Sequence, residues 1–420
     1  MSTALAAPLP LRKGVGGHEP GAIAGSARPP TGPGPRILIV TPEFPPQPGG
    51  IGTHCCEMAM HWGHVADVTV LCPAAAGARR DLGPTVRLVD LPTSRGRSTR
   101  LLRTARTIRR LVAAGRFDLV YVAHWRTSGT AFRLATTGIR RRPRYAQAIH
   151  GGEVLYLLSG RHPVHRKLFG WTVAGADLFV ALGENQARLL DRLGVGRERV
   201  FVSPEGVDVA SFHLNEASRL PAELARRHGL ENERVLLTVA RLVPHKGHDM
   251  VIRALPRILA RVPNATYLVV GSGAGEPALR ELAGRVGVAE RVRFAGYVPG
   301  GELPSYYHLC DVFVMASREA DGDTEGFGIA FAEAAACAKP AVGGRTGGIV
   351  EVVQEGRTGL LVDPTSPAEI AEATVRLLTD EDLARRLGEA ARRRVTQELQ
   401  YRDIAARILG ACLPAGRDAP

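Results

Sequence analysis

The feature that most constrains this chain is an alternation of short β-branched runs with helix-length segments, which is the pattern of βα units and parallel sheets. One series comprises ILIV at 37–40, DVTVL at 67–71, DLVYV at 118–122, YAQAI at 145–149, DLFVAL at 177–182 and RVFV at 199–202. A second begins with VLLTVA at 235–240 and continues through TYLVVG at 266–271, RVRFAG at 291–296, DVFVMA at 311–316, PAVGG at 340–344 and GLLV at 359–362. Between them lies a polar segment, NEASRLPAELARRHGLENE, which places a domain boundary near 210–230. The expectation is an α/β chain of two similar halves, 36–212 and 213–398, with a leader at 1–35, a helix at 399–412 that packs back on the first half, and a tail at 413–420. A length of 420 residues agrees with two domains. Open parallel sheets bind ligands beyond the carboxyl ends of their strands, so the chemistry is expected at strand ends, in a cleft between the halves.

Composition narrows the class. With 45% hydrophobic and 23% charged residues the chain is neither disordered nor collagen-like. No stretch approaches the roughly 18 uncharged apolar residues needed to span a bilayer. The Ala-, Pro- and Gly-rich leader lacks the basic start and apolar run of a secretory signal, and it reads as disordered. Six cysteines without CxxC pairs read as reduced cytoplasmic thiols. The net charge of +13 is uneven: fourteen arginines and one acid, Asp118, lie between Leu91 and Gly152. In this region Leu101, Ala105, Ile108 and Val112 recur at helical spacing, with Arg100, Arg103, Arg106 and Arg110 opposite. Such a helix, spanning Arg95 to Arg110, either packs on the core with a solvated arginine back or meets anionic lipid peripherally. Basic charge without an aromatic-lined motif does not point to nucleic acid.

Six segments carry candidate chemistry. The first strand ends in TPEFPPQPGGIG, where Gly49, Gly50 and Gly52 either bring backbone amides to a phosphate or simply turn the chain. HGGEV at 150–154 places His150 and Glu153 beside two glycines, suited to a sugar or to a structural turn. Arg241 and Lys246, five residues apart after a strand, can neutralise a diphosphate or lie solvated on a loop. Gly271, Gly273 and Gly275 form GxGxG without the spacing of a nicotinamide fingerprint, and read as a flexible turn beside a nucleotide. In EADGDTEGFGIAFAEAAACAKPAV, Glu325 and Glu333 stand eight apart. If both are helical, one carboxylate sits at the helix mouth and the other about two turns deeper on nearly the same face. They could then grip sugar and ribose hydroxyls while the amides of Phe327, Gly328 and Ile329 face the ligand; the bland alternative is a helix-dipole partner and a surface residue. GGRTGGIVEVV at 343–353 adds another glycine turn, lining a diphosphate or merely turning the chain.

With these segments in this order, the sequence resembles the retaining nucleotide-sugar glycosyltransferases of family 4 over roughly residues 36–412. The resemblance rests on PPQPGGIG, HGGEV, PEGVDVASF at 204–212, RLVPHKG and the E-x7-E pair; its wording is most similar to the actinobacterial phosphatidylinositol mannosyltransferases that use GDP-mannose. It implies the GT-B fold, two Rossmann-like domains facing across a cleft. It further implies that Gly50 meets the donor phosphates, Arg241 and Lys246 bind the diphosphate, Glu325 holds donor-sugar hydroxyls with Phe327 and Gly328 against the sugar, and Glu333 binds the ribose. His150 would sit by the transferred sugar and the acceptor hydroxyl. The chain departs from the family pattern at Ala338, usually Gly, and Ala341, usually Val.

The implied activity is hexosyl transfer, of mannose or glucose type, from a nucleotide-diphosphate sugar to an acceptor hydroxyl on a lipid-linked or polysaccharide precursor. Retention would follow front-face attack without a protein nucleophile, with charge growing on the leaving diphosphate. The nucleotide sugar is a co-substrate, no cofactor is implied, and no metal cage is evident; Asp321 and Asp323 are a loop of acids that is read as solvated. Activity is expected to persist in chelator, in the cytoplasm or at the inner face of the membrane. Two alternatives remain at this stage: a sugar-nucleotide epimerase of the same fold, and a binding protein without turnover.

Overall fold

The computed structural model describes residues 34–47, 49–73, 82–91, 96–158, 163–213 and 220–414. The leader up to 33, Arg95, the start of the polar segment at 214–219 and the tail from 415 lie outside the described residues.

Twelve strands form where the β-branched runs lie, and one more forms where none was expected. The first sheet holds β1 (Arg36–Val40), β2 (Asp67–Cys72), β3 (Val86–Asp90), β4 (Leu119–Val122), β5 (Arg144–Ile149), β6 (Leu178–Ala181) and β7 (Val200–Val202), in the order β3-β2-β1-β4-β5-β6-β7. The second holds β8 (Arg234–Val239), β9 (Ala265–Val270), β10 (Val292–Gly296), β11 (Val312–Met315), β12 (Ala341–Gly344) and β13 (Leu360–Val362), in the order β10-β9-β8-β11-β12-β13. The pairings described are parallel. The unexpected strand is β3, an edge strand whose residues are exposed or half-exposed and include Arg87 and Asp90. With one neighbour only, it needs no continuous apolar run.

Helices follow the strands as crossovers: α1 (Gly50–Trp62), α2 (Arg97–Gly115), α3 (Thr130–Thr136), α4 (Gly152–Leu158), α5 (Pro163–Val173) and α6 (Glu184–Arg192) with the first sheet. With the second go α7 (Leu220–His228), α8 (His248–Leu259), α9 (Glu276–Arg285), α10 (Leu303–Leu309), α11 (Ile329–Ala336), α12 (Ile349–Val352), α13 (Pro367–Thr379) and α14 (Glu381–Glu398). The Ser366 hydroxyl caps α13 by accepting the Glu369 amide at 3.2 Å, ahead of Pro367. Both faces of both sheets are covered by apolar clusters. In α2 the stripe of Ala105, Ile108 and Val112 is consumed by the first-sheet core, while Arg100, Arg103, Arg106 and Arg110 face outward. The apolar face of this helix is therefore not free for lipid.

The chain crosses between the sheets twice at one place. Val207 and Val209 join the core of the second sheet, and the Val207 amide donates to the Leu399 carbonyl at 2.8 Å. From there α15 (Tyr401–Cys412) lays Tyr401, Ile404 and Ile408 into the first-sheet core, where the Trp62 indole donates to the Ala405 carbonyl at 2.8 Å. Strand order reverses between β1 and β4 and between β8 and β11. Ligands of doubly wound sheets sit at such switch points, and the motif loops all leave the carboxyl ends of strands near them.

Candidate active site

On the second sheet, the loop after β8 carries Arg241, exposed, and a short turn, Pro244–Lys246. Its path is set by close backbone packing. A Cβ at Gly271 would fall 2.0 Å from the Ala240 carbonyl oxygen and one at Gly273 2.7 Å from that of Leu242, so these glycines let the loops after β8 and β9 lie together. Gly273 thus supports the Arg241 loop by packing. Gly247, at φ 72°, ends the turn with its α-carbon pressed on the Ala316 carbonyl and starts α8. The Lys246 ammonium then donates to the Glu325 carboxylate, and both side chains are largely buried. Burial pushes the Glu325 carboxyl up, but Lys246, His245 and the Gly326 amide outweigh it and hold it below its ordinary value.

The geometry expected for the two glutamates needs correcting. The helix begins only at Ile329, so Glu325 lies in the preceding loop and Glu333 is one turn into α11, not two. Gly328, at φ 89°, breaks the helical path, because the chain must pass in the left-handed region to enter α11. Glu333 is half-buried and accepts a hydrogen bond from the Tyr307 hydroxyl at 2.5 Å. Burial raises its carboxyl to about 7, with Tyr307 opposing. The Phe327 ring is buried in the second-sheet core, so a contact with a sugar would come from its backbone. Ile329 is half-buried against the first-sheet core. Ala338 occupies φ 55°, which accounts for the glycine usual there.

On the first sheet, His150 directly follows the end of β5. A Cβ on Gly151 would stand 2.8 Å from the Gly326 α-carbon, and one on Gly326 2.0 Å from the His150 carbonyl oxygen. The two motif loops therefore touch backbone to backbone, which brings His150 and Glu325 to one place. The His150 ring stands edge-on to His54 with centroids 5.1 Å apart. Burial first, then the neighbouring His54 and His124, hold the His150 imidazole well below its ordinary pKa, so it is neutral at physiological pH. His54 is fully buried in α1: its Nδ1 donates to Glu205 at 2.7 Å and its Nε2 pairs with the Tyr121 hydroxyl at 2.8 Å. Gly49 is the N-cap of this helix and Gly50 its first residue; a Cβ at Gly49 would meet the Glu43 carboxylate at 2.2 Å, whereas Gly50 faces open space. Burial raises the Glu43 carboxyl while Arg241, from the other sheet, lowers it. The Glu153 side chain lies outside the described residues.

The family models match where these loops lie. Glycosyltransferase Family 4 covers residues 48–211, and Glycosyl transferases group 1 covers residues 222–394. The GDP-mannose-dependent alpha-(1-6)-phosphatidylinositol monomannoside mannosyltransferase of Mycobacterium tuberculosis is 34% identical over 385 residues, covering 89% of this chain and 97% of the relative. This chain is a family 4 glycosyltransferase. The protein of the same name from Mycolicibacterium smegmatis is 33% identical over 391 residues, again covering 89% and 97%. Among solved structures the glycosyltransferase is similar to sucrose-phosphate synthase from Thermosynechococcus elongatus, with TM-score 0.76, 21% identity and coverage of 90% and 98% of the two chains. It is also similar to Anabaena HepE in complex with UDP and glucose, with TM-score 0.74, 22% identity and coverage of 89% and 98%. The fold is GT-B.

Several residues of this glycosyltransferase's site were not singled out from sequence. Glu205 lies inside the PEGVD segment at 204–208 and His54 just after the glycine loop, but nothing local pairs them across 151 positions. Tyr307 reads as an ordinary core aromatic until its hydroxyl is placed on Glu333. Asp323 lies 3.5 Å from His245, and among the described residues no group of three or more His, Cys, Asp or Glu could hold a metal ion.

Proposed function

We propose that this glycosyltransferase transfers mannose, with retention, from GDP-mannose to a hydroxyl of an inositol-bearing lipid-linked acceptor. One observation carries the reading. The Lys246–Glu325 pair at the second switch point abuts the His150–Gly151 turn of the first sheet, so a cation, a carboxylate and a neutral imidazole converge where a donor sugar would meet its acceptor. The choice of donor and acceptor is supported by the mycobacterial relatives, which match along nearly their whole length.

In the proposed mechanism Arg241 and Lys246 neutralise the diphosphate as the bond between it and the anomeric carbon breaks. The acceptor oxygen bonds to that carbon on the same face, and its proton passes to the departing phosphate oxygen. Lys246 also keeps Glu325 ionised to accept donor-sugar hydroxyls, Glu333 receives the ribose, and the open space at Gly50 leaves its amide free to approach a phosphate. His150, neutral, offers a hydrogen bond to the sugar or acceptor hydroxyl.

The proposed setting is cytoplasmic, peripheral at the inner membrane face. No helix among the described residues is long and apolar enough to cross a membrane. The outward arginines of α2, with Leu102 half-exposed among them, support a mainly electrostatic contact with anionic lipid. The test is thermal stabilisation by GDP, UDP and ADP, followed by transfer from GDP-mannose to phosphatidylinositol monomannoside. GDP preference with mannosyl transfer is expected. UDP preference would replace the donor, conversion of donor without acceptor would favour an epimerase, and binding without turnover would reduce the protein to a receptor.

A further inference from the structure

The first turn of α6 is capped from the opposite domain. Its N-cap is Gly183, which has no side chain to cap it, and the free amides of Glu184 and Asn185 each donate to the Glu351 carboxylate of α12 at 3.0 Å. Gly183 makes this approach possible: a Cβ there would lie 2.2 Å from Glu351 Oε2. The Arg394 guanidinium anchors α12 from behind by donating to the Glu351 and Val352 carbonyls at 2.8 and 2.6 Å. One residue further into α6, the fully buried Gln186 donates from Nε2 to the Gly326 carbonyl at 2.6 Å. Gly326 follows Glu325, whose own carbonyl accepts the Gly348 amide at 3.0 Å, just ahead of α12. The end of one helix thus touches both the loop that carries Glu325 and the element that braces this loop.

We propose that Glu351, received by Gly183 and the α6 amides, and Gln186, held on the Gly326 carbonyl, form a clasp that closes the cleft and seats the Glu325 loop, making both positioning residues of sugar transfer. The kinetic part rests on the transferase reading above; the closure part does not. The clasp couples two events. When the domains part, α6 loses its cap and Gln186 its buried acceptor, so closure and correct seating of Glu325 occur together. Of the residues assigned to the nucleotide, Arg241, Lys246 and Glu333 lie on the second domain and bind without the clasp, and the Gly50 amide alone comes from the first.

The test uses the full chain with Glu351→Ala, Gln186→Ala and Gly183→Ala. Gly183 has φ −179°, an extended conformation that alanine adopts freely, so Gly183→Ala expels the carboxylate by bulk while leaving its charge in place. All six native cysteines are buried, so spin labels at Arg110→Cys and Arg386→Cys report the interdomain distance selectively. Without any substrate, the wild type should give a narrow distribution and each variant a broader, longer one. With GDP-mannose and acceptor, kcat should fall about 10- to 100-fold, as for misplacement of a reacting group by an ångström or so, while GDP affinity stays within about twofold. Glu351→Ala with Gly183→Ala should lose no more than the worse single variant. Unchanged distances and kcat in Gly183→Ala and Gln186→Ala would overturn the clasp, even if Glu351→Ala misfolds. A wild type that closes but transfers nothing from GDP-mannose would instead sink the GDP-mannose reading of the donor and leave the clasp standing.

Discussion

Tyr307→Phe should move the pH dependence of donor binding rather than abolish binding. The Tyr307 hydroxyl is buried and donates to Glu333 at 2.5 Å, and the Glu333 carboxyl titrates at about 7 because burial raises it and this bond opposes the rise. If Glu333 receives the ribose hydroxyls as proposed, its ionised form is the stronger acceptor, so affinity should rise with pH through neutrality. A hydrogen bond to a charged group contributes about 1.5–3 kcal/mol, which is about one to two pH units, so the variant's inflection should lie near pH 8–9. At pH 7 the ionised fraction would fall from about one half to between about a tenth and a hundredth, weakening donor binding about 5- to 50-fold. Above about pH 9 the two proteins should converge. Cys337 and Tyr401 also face Glu333, but burial raises both and keeps them neutral across this range. Equilibrium binding of GDP-mannose, whose diphosphate diester has no ionisation near neutrality, is the assay. Parallel profiles with the same inflection would refute the role of Glu333 as a titrating ribose acceptor.

Lys246→Ala should lower kcat by about 10²-fold or more, because it removes charge from the leaving group and leaves Glu325 buried without its partner; a variant with near-normal kcat and raised donor KM would assign Lys246 to uniform binding instead. His248 is buried with neither ring nitrogen hydrogen-bonded, and burial, then Lys246, depresses it to about 4. Its unfolded form takes up a proton below about 6.5, so stability should fall as pH drops from 6.5 towards 4, by about 2 kcal/mol at pH 5 from this residue, and His248→Leu should flatten the acid limb of Tm against pH. Ala338→Gly should stabilise the protein by about 1 kcal/mol, since φ 55° is a left-handed conformation at no cost to glycine; an unchanged denaturation midpoint would count against strain there. Binding to vesicles rich in anionic lipid should weaken steeply with salt and with Arg103→Glu plus Arg106→Glu, whereas salt-insensitive binding would point to apolar insertion.

The legible part of the fold was the apolar part. Twelve strands announced themselves by short apolar, β-branched runs, including the edge strands β7, β10 and β13; β3 did not, because an edge strand carrying Arg87 and Asp90 is chemically a loop with a neighbour. The candidate site was legible where charged residues and glycines stand close together in one segment. Arg241, Lys246, Glu325 and Glu333 stood out by type and spacing, yet spacing alone misjudged the helix, since the left-handed Gly328 puts Glu325 outside it. Partners supplied from another element were invisible: Tyr307 for Glu333, Glu205 for His54, Gln186 for the Gly326 carbonyl. Each is a long-range pairing that only the assembled sheets bring about.

That division has a physical consequence for how the site works. The groups readable from local sequence contact charge directly, and most lie on the second domain, where a nucleotide could bind with the cleft open. Those that were not readable act through backbone or through another side chain, and, apart from Tyr307, which serves Glu333 within the second domain, they cluster where the domains meet: Gln186 on the Gly326 carbonyl, Glu351 on α6, His54 edge-on to His150. Binding and positioning are thus divided between two sets of residues. Changes in the first set should appear in donor affinity or in charge stabilisation on the diphosphate. Changes in the second should leave nucleotide affinity nearly intact and appear in kcat, because what they control is whether the Glu325 loop and the His150 turn reach each other.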